Sequence, residues 1–140
     1  MNAKKSVLIL CTGNSARSQM AEGLLRHLAS DRFAVFSAGT IATFVRPQAI
    51  AAMKEIGIDI SAHRSKSLNE FLEEPFDYVI TVCDHAAQRC PTFPGSAKRI
   101  HWSIEDPVVI GADEAQLEAF RVARDDLKNR IQQFVADESA

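Results

Sequence analysis

The sequence predicts an α/β fold: three layers, α/β/α, around a four-stranded parallel sheet. Short β-rich runs alternate with helical stretches along the chain, which is the pattern of parallel strands joined by crossover helices. The first run, Val7–Leu10, is apolar throughout, as a strand covered on both faces has to be. The third observation is local: a cysteine, a glycine-containing loop and Arg17-Ser18 follow that run directly, marking a strand-to-helix junction.

The elements follow in order. Val7–Leu10 is the first strand. From Ala16 to Ala29, Met20, Leu24 and Leu28, with Ala21 and Leu25, recur at helical spacing. Phe33–Phe36 is a second strand, closed by Ser37-Ala38-Gly39-Thr40. Pro47 suits the first turn of a helix running through Met53 and Ile56, which Gly57 terminates. Ile58 to Ser67 reads as a connecting loop, Tyr78–Val82 as the third strand, and Lys98–Trp102 as the fourth. A long helix begins near Asp113, with Leu117, Phe120, Leu127, Ile131 and Phe134 as its apolar stripe.

The chain has 140 residues and a formal charge of −2, which fits one domain, residues 1–140, with an ordinary core. No long run of like charge points to nucleic acid or to a membrane surface. The opening Met1-Asn2-Ala3-Lys4-Lys5 precedes an apolar run too short for a signal peptide, so a cytoplasmic location is expected. In a reducing compartment Cys11, Cys83 and Cys90 point to catalysis, redox cycling or metal binding ahead of a disulfide framework. The small size and the lack of an obvious apolar surface stripe favour a monomer.

Cys11-Thr12-Gly13-Asn14-Ser15-Ala16-Arg17-Ser18 is suited to an oxyanion. The strand delivers the thiol to the floor of a tight loop. The N–H groups of Thr12 through Arg17 and the positive end of the following helix then face whatever sits above the sulfur. Arg17 adds a planar fork for two oxygens of a tetrahedral anion. These positive fields favour the thiolate of Cys11, and Ser18 can donate to it.

Cys83 follows the third strand as Cys11 follows the first, so topology places both at the carboxyl edge of the sheet, where such folds bind ligands. Cys90 lies seven residues beyond Cys83. Two helical turns rise about 10.5 Å, more than the roughly 4.4–6.8 Å between Cα atoms that a disulfide needs. A bond between them therefore requires a helix there to unwind, and Pro91-Thr92-Phe93-Pro94-Gly95 is a loop-forming segment that allows such movement. Three readings stand together: a redox switch, a metal site with His85, and two inert buried thiols. Further on, Asp106-Pro107 follows the last strand, and a carboxylic acid there can protonate a departing oxygen; Glu105 is the adjacent candidate.

Together these residues resemble a known family. Cys11 through Glu22, Ser37-Ala38-Gly39-Thr40 and Gly57-Ile58-Asp59-Ile60-Ser61 resemble the low-molecular-weight protein tyrosine phosphatase fold. Cys83, Cys90-Pro91, His101-Trp102 and Asp106-Pro107 resemble its three-cysteine arsenate reductase branch, over roughly residues 6 to 136. The resemblance implies that Cys11 is the nucleophile, Arg17 the oxyanion clamp, Ser18 the thiolate stabiliser and Asp106 the general acid. Asn14 then holds the loop in shape, and Cys83 and Cys90 are the two further redox cysteines. It also implies arsenate as substrate, with phosphate or sulfate as mimics, no cofactor, and thioredoxin as reductant, with glutathione and glutaredoxin as the alternative couple.

Two departures from the family pattern matter. Position 16, often cysteine, is Ala16, which leaves three cysteines for three roles. Potassium-binding members carry an acidic residue where this chain has Lys66, beside Asn14, Glu22 and Ser37, so no metal and no potassium dependence are expected. The rival functions are a phosphatase using Cys11, Arg17 and Asp106 alone, and a redox-sensing module without catalysis. Against the first, Val108-Val109-Ile110 follow Asp-Pro, where the phosphatases place aromatic residues to sandwich a phenyl ring. His27, His63 and His85 read as surface or packing residues, and His101 and Trp102 either shape the site or belong to the core.

Overall fold

A computed structural model describes residues 4–90, 93–95, 97–108 and 113–138. Among them are four strands, β1 (Lys5–Cys11), β2 (Phe33–Gly39), β3 (Tyr78–Thr81) and β4 (Lys98–His101). Four α-helices accompany them, α1 (Arg17–Ala29), α2 (Pro47–Lys54), α3 (Asp84–Arg89) and α4 (Asp113–Asp137), with a 3-10 turn at Leu68–Phe71. The sheet order is β2-β1-β3-β4 and every pairing is parallel. The chain moves outward from β1 to β2 in one direction and from β3 to β4 in the other. Right-handed crossovers therefore set α1 and α3 on opposite faces, and the order reverses between β1 and β3.

Burial explains the central strand. Val7, Leu8, Ile9 and Leu10 are fully buried, and each such side chain contributes about 1.5–3 kcal/mol by leaving water. On one face α1, α2 and α4 pack together, α4 turning Phe120, Leu127, Ile131 and Phe134 inward. Phe134 meets Phe33 and Tyr78 with ring centroids 5.4 and 5.1 Å away. Charge ties α4 to the end of α2: Arg121 Nε donates to Glu55 at 2.9 Å, and Arg124 Nη1 donates to Glu55 at 2.9 Å and to the Ala52 carbonyl at 2.8 Å. The hydrogen bonds from Arg121 hold the Glu55 carboxyl down at about 2.

Several boundaries differ from the sequence reading. Ser37, Ala38 and Gly39 do not end the second strand; they continue β2, paired with Ile9, Leu10 and Cys11. Helix α2 stops at Lys54 and not at Ile56, because Gly57 at φ 79° allows a tight close in which Ile58 N–H donates to the Met53 carbonyl. Within the connecting segment Ser67 makes a bridge with Gly39, extending the sheet edge beside the loop that carries Cys11. Pro91 and Thr92, and Val109 and Ile110 after Asp-Pro, lie outside the described residues. Among the described residues no helix is long and apolar enough to cross a membrane.

Candidate active site

Strands β1 and β3 run side by side with Leu10 opposite Thr81, so each releases a cysteine, Cys11 and Cys83, at the same edge of the sheet. The loop after Cys11 is fixed by its carbonyls. Cys11 O accepts from Thr40 N–H, Thr12 O from Ile41 N–H and Ser15 O from Arg46 N–H. Gly13 O accepts from the Thr43 and Ser65 hydroxyls at 2.8 and 3.0 Å. A trans peptide points its N–H away from its C=O, so carbonyls tied outward turn the loop amides inward. Helix α1 begins without a side-chain cap, which leaves its first-turn N–H groups for the same space.

Asn14 closes the loop from beneath. It is fully buried and left-handed at φ 49°, a conformation Asn tolerates better than most residues. Its Nδ2 donates to Ser18 Oγ at 2.7 Å and to Ser37 Oγ at 2.9 Å, while Oδ1 accepts from Lys66 N–H and Gln19 Nε2 at 2.9 Å each. Because Ser18 Oγ accepts from Asn14, its own proton is free for the Cys11 sulfur, 2.8 Å away. Gly39 lies so close behind that a Cβ there would meet the carbonyl oxygens of Ile41 and Thr12 at 2.6 Å and the Asn14 nitrogen at 2.7 Å.

Above the sulfur is a cavity of about 140 Å³ lined by Cys11, Thr12, Gly13, Ser15, Ala16, Arg17, Arg46, Asp106 and Val108. Arg17 Nη1 donates to the Ile104 carbonyl at 3.0 Å, and its Nη2 is 4.0 Å from Asp106 Oδ2. Asp106 is more than half exposed and accepts from Val108 N–H at 2.9 Å. Glu105 does not line this cavity. Asn14 and Ser18 lie behind the wall, holding it.

Cys83 is buried and caps α3, its Sγ accepting from Ala86 N–H at 3.3 Å. The Thr12 hydroxyl is 3.3 Å from that sulfur and 3.3 Å from His85 Nδ1, so His85 faces the site. All six residues of α3 separate Cys83 from Cys90, which ends the helix and lines a different cavity of about 170 Å³ with Val79, Thr81, Ala87, Arg99, Ile100 and His101. Burial pushes the Cys90 thiol up, with Arg99 opposing. His101 joins Thr81 Oγ1 at 2.7 Å to Asp84 Oδ1 at 2.8 Å, and this bond with one from Ser103 holds the Asp84 carboxyl low. Among the described residues no group of three or more His, Cys, Asp or Glu side chains is arranged to hold a metal.

Behind Asn14, Ser37 Oγ accepts from Asn14 and donates to Glu22 Oε1. Buried Glu22 is already neutralised: Arg26 reaches it at 2.7 Å and Lys66 Nζ at 3.9 Å. Lys66 Nζ also donates to the Arg64 carbonyl at 2.9 Å, and burial lowers its pKa against the pull of Glu22. With two cations on one carboxylate these residues do not suit a potassium ion. His63 is a packing residue: Nδ1 meets Gln19 Oε1 at 2.9 Å, and burial lowers its pKa. The sequence assigns no role to Arg46, which lines the cavity, or to Gln19 and His63, which meet Asn14 and Glu22 behind it. Their signals were only adjacency to Ser18 for Gln19 and to Pro47 for Arg46.

The model of the low molecular weight phosphotyrosine protein phosphatase family matches residues 6–139. An arsenate reductase of Halalkalibacterium halodurans is 46% identical over 94% of the chain and 95% of its own length. One of Bacillus subtilis is 42% identical over 93% and 94%. Among solved structures, an arsenate reductase in an oxidized state superposes with a TM-score of 0.82 at 35% identity, covering 95% of this chain and 98% of that one. A low molecular weight protein tyrosine phosphatase from T. tengcongensis superposes at 0.79 with 29% identity, covering 96% and 99%.

Proposed function

We propose that the chain, which belongs to the low molecular weight phosphotyrosine protein phosphatase family, uses this site to reduce arsenate to arsenite. The observation that carries the reading is the convergence of Cys11 and Cys83 beside an oxyanion-sized cavity, with Thr12 touching both the cavity and the second sulfur. Its similarity to curated arsenate reductases at 46% and 42% identity supports the same substrate.

The cycle then runs on three thiols. Cys11 thiolate, steadied by Ser18, attacks arsenic; an S–As bond forms and an oxygen leaves with a proton from Asp106. Arg17 and the loop amides carry the charge on the remaining oxygens. Cys83 thiolate attacks the Cys11 sulfur, an S–S bond forms, and the S–As electron pair passes to arsenic, which leaves as arsenite. Cys90 thiolate next attacks Cys83, releasing Cys11 and leaving a Cys83–Cys90 disulfide. An external dithiol returns the two electrons: thioredoxin, or glutathione with glutaredoxin as the alternative. Since α3 spans the gap between Cys83 and Cys90, the last exchange requires that helix to unwind.

The test is arsenate-dependent NADPH oxidation with thioredoxin and thioredoxin reductase. Sustained turnover that disappears in Cys11→Ser, Cys83→Ser and Cys90→Ser is the expected result. Failure with both this couple and the glutaredoxin couple overturns the reading and leaves hydrolysis of phosphomonoesters, which the likeness to a tyrosine phosphatase structure and the Cys11, Arg17, Asp106 cavity favour. Cys90→Ser separates the two: reduction stops after about one turnover, whereas hydrolysis continues.

A further inference from the structure

We propose that Arg46 is a second anion-binding guanidinium of the Cys11 cavity. This deepens the oxyanion reading of that cavity and rests on it. Arg46 is fixed by its backbone, whose N–H donates to the Ser15 carbonyl at 2.9 Å, so the residue is tied to the loop whose amides face the cavity. It then opens α2, where Pro47 occupies the first turn. Its side chain lines the cavity, where among the described lining residues Asp106 is the acidic one and lies 4.0 Å from Arg17.

Among the described residues no side-chain hydrogen bond or ion pair holds the guanidinium. Its Cζ stacks over the Phe44 ring at 5.2 Å, which supports a cation without neutralising it. Among the described residues, Arg46 Nε is the buried side-chain nitrogen or oxygen atom that has no hydrogen-bond partner. A buried N–H without an acceptor is uncommon in a folded protein and asks for a cause. Arg46 lines the same cavity as Arg17, and an oxyanion seated above Cys11 brings acceptor oxygens into it. Arg17 grips it from the α1 side, and Arg46 takes a further oxygen from the α2 side.

The role assigned is recognition, not chemistry: Arg46 strengthens the binding of doubly charged tetrahedral anions and moves no proton. Inorganic phosphate is the probe, since it needs neither reductant nor turnover. Calorimetric titration of phosphate into the reduced protein should show affinity falling about tenfold in Arg46→Gln, a difference of 1.4 kcal/mol. Arg46→Lys should recover part of that loss, and Phe44→Leu should stay within about threefold of the wild type. In arsenate turnover the Arg46→Gln loss should fall on KM, with kcat within about twofold. In the wild-type protein the Arg46 Nε–H resonance should shift as phosphate saturates, a readout independent of how any variant folds. Wild-type affinity in a folded Arg46→Gln, an equal loss in Phe44→Leu, or a resonance that ignores phosphate overturns the assignment. A wild-type protein that binds no phosphate overturns instead the oxyanion reading of the cavity.

Discussion

The Thr12 hydroxyl stands 3.3 Å from the sulfur of Cys83, a residue 71 positions away in sequence. One residue thus lines the cavity above Cys11 and touches the second thiol. Thr12→Val keeps the shape and removes the hydroxyl. Hydrogen bonds to charged groups are worth about 1.5–3 kcal/mol. Formation of the Cys11–Cys83 disulfide, followed by rapid acid quench and peptide mapping, should slow about tenfold or more, while Cys11 alkylation by iodoacetamide stays near the wild-type rate.

Gly39→Ala should abolish turnover more completely than its size suggests. The new methyl meets three backbone atoms of the Thr12, Asn14 and Ile41 segments inside 3 Å, and none of them is a flexible side-chain end. The loop has to shift, so phosphate binding and turnover should both be lost while circular dichroism still reports a folded α/β protein.

Lys66 sets the expectation for monovalent cations. Turnover should be equal in potassium and sodium at matched ionic strength, because Lys66 and Arg26 already neutralise Glu22. In Lys66→Met one of those charges goes, and potassium should then raise turnover and melting temperature relative to sodium. An appreciable potassium effect on the wild-type enzyme counts against this.

Acid stability depends on Glu55. Its carboxyl sits at about 2 when folded against an ordinary 4.5, lowered chiefly by the hydrogen bonds from Arg121. The charged form is favoured by folding, so its contribution is complete above about pH 4.5 and declines as pH falls toward 2. Glu55→Gln should melt below wild type at pH 7, and the gap should narrow at pH 3 in paired thermal scans.

The sequence carried the architecture where pattern and burial agree. Val7–Leu10 is covered on both faces, and the stripe from Phe120 to Phe134 is the inward face of α4. It ended the second strand at Phe36 because Ser37-Ala38-Gly39 are small, whereas here smallness lets β2 pass behind the Cys11 loop. The loop residues Cys11–Arg17 are contiguous, so their grouping needed no tertiary knowledge. Arg46 reaches the cavity, and His63 the buried Glu22 behind it, from other segments, and apart from Pro47 beside Arg46 nothing local announces either contact.

Cys83 holds α3 at its first turn by accepting the Ala86 N–H. A helix of six residues has too few internal bonds to stand without such support. In the proposed cycle this sulfur becomes part of a disulfide to Cys11, and a disulfide sulfur is a weaker acceptor than a thiolate. In that cycle the first exchange therefore weakens the anchor of the segment that the second exchange must set in motion. On that proposal the order of the exchanges follows from which atom the helix depends on, and Cys90 is released once Cys83 has reacted.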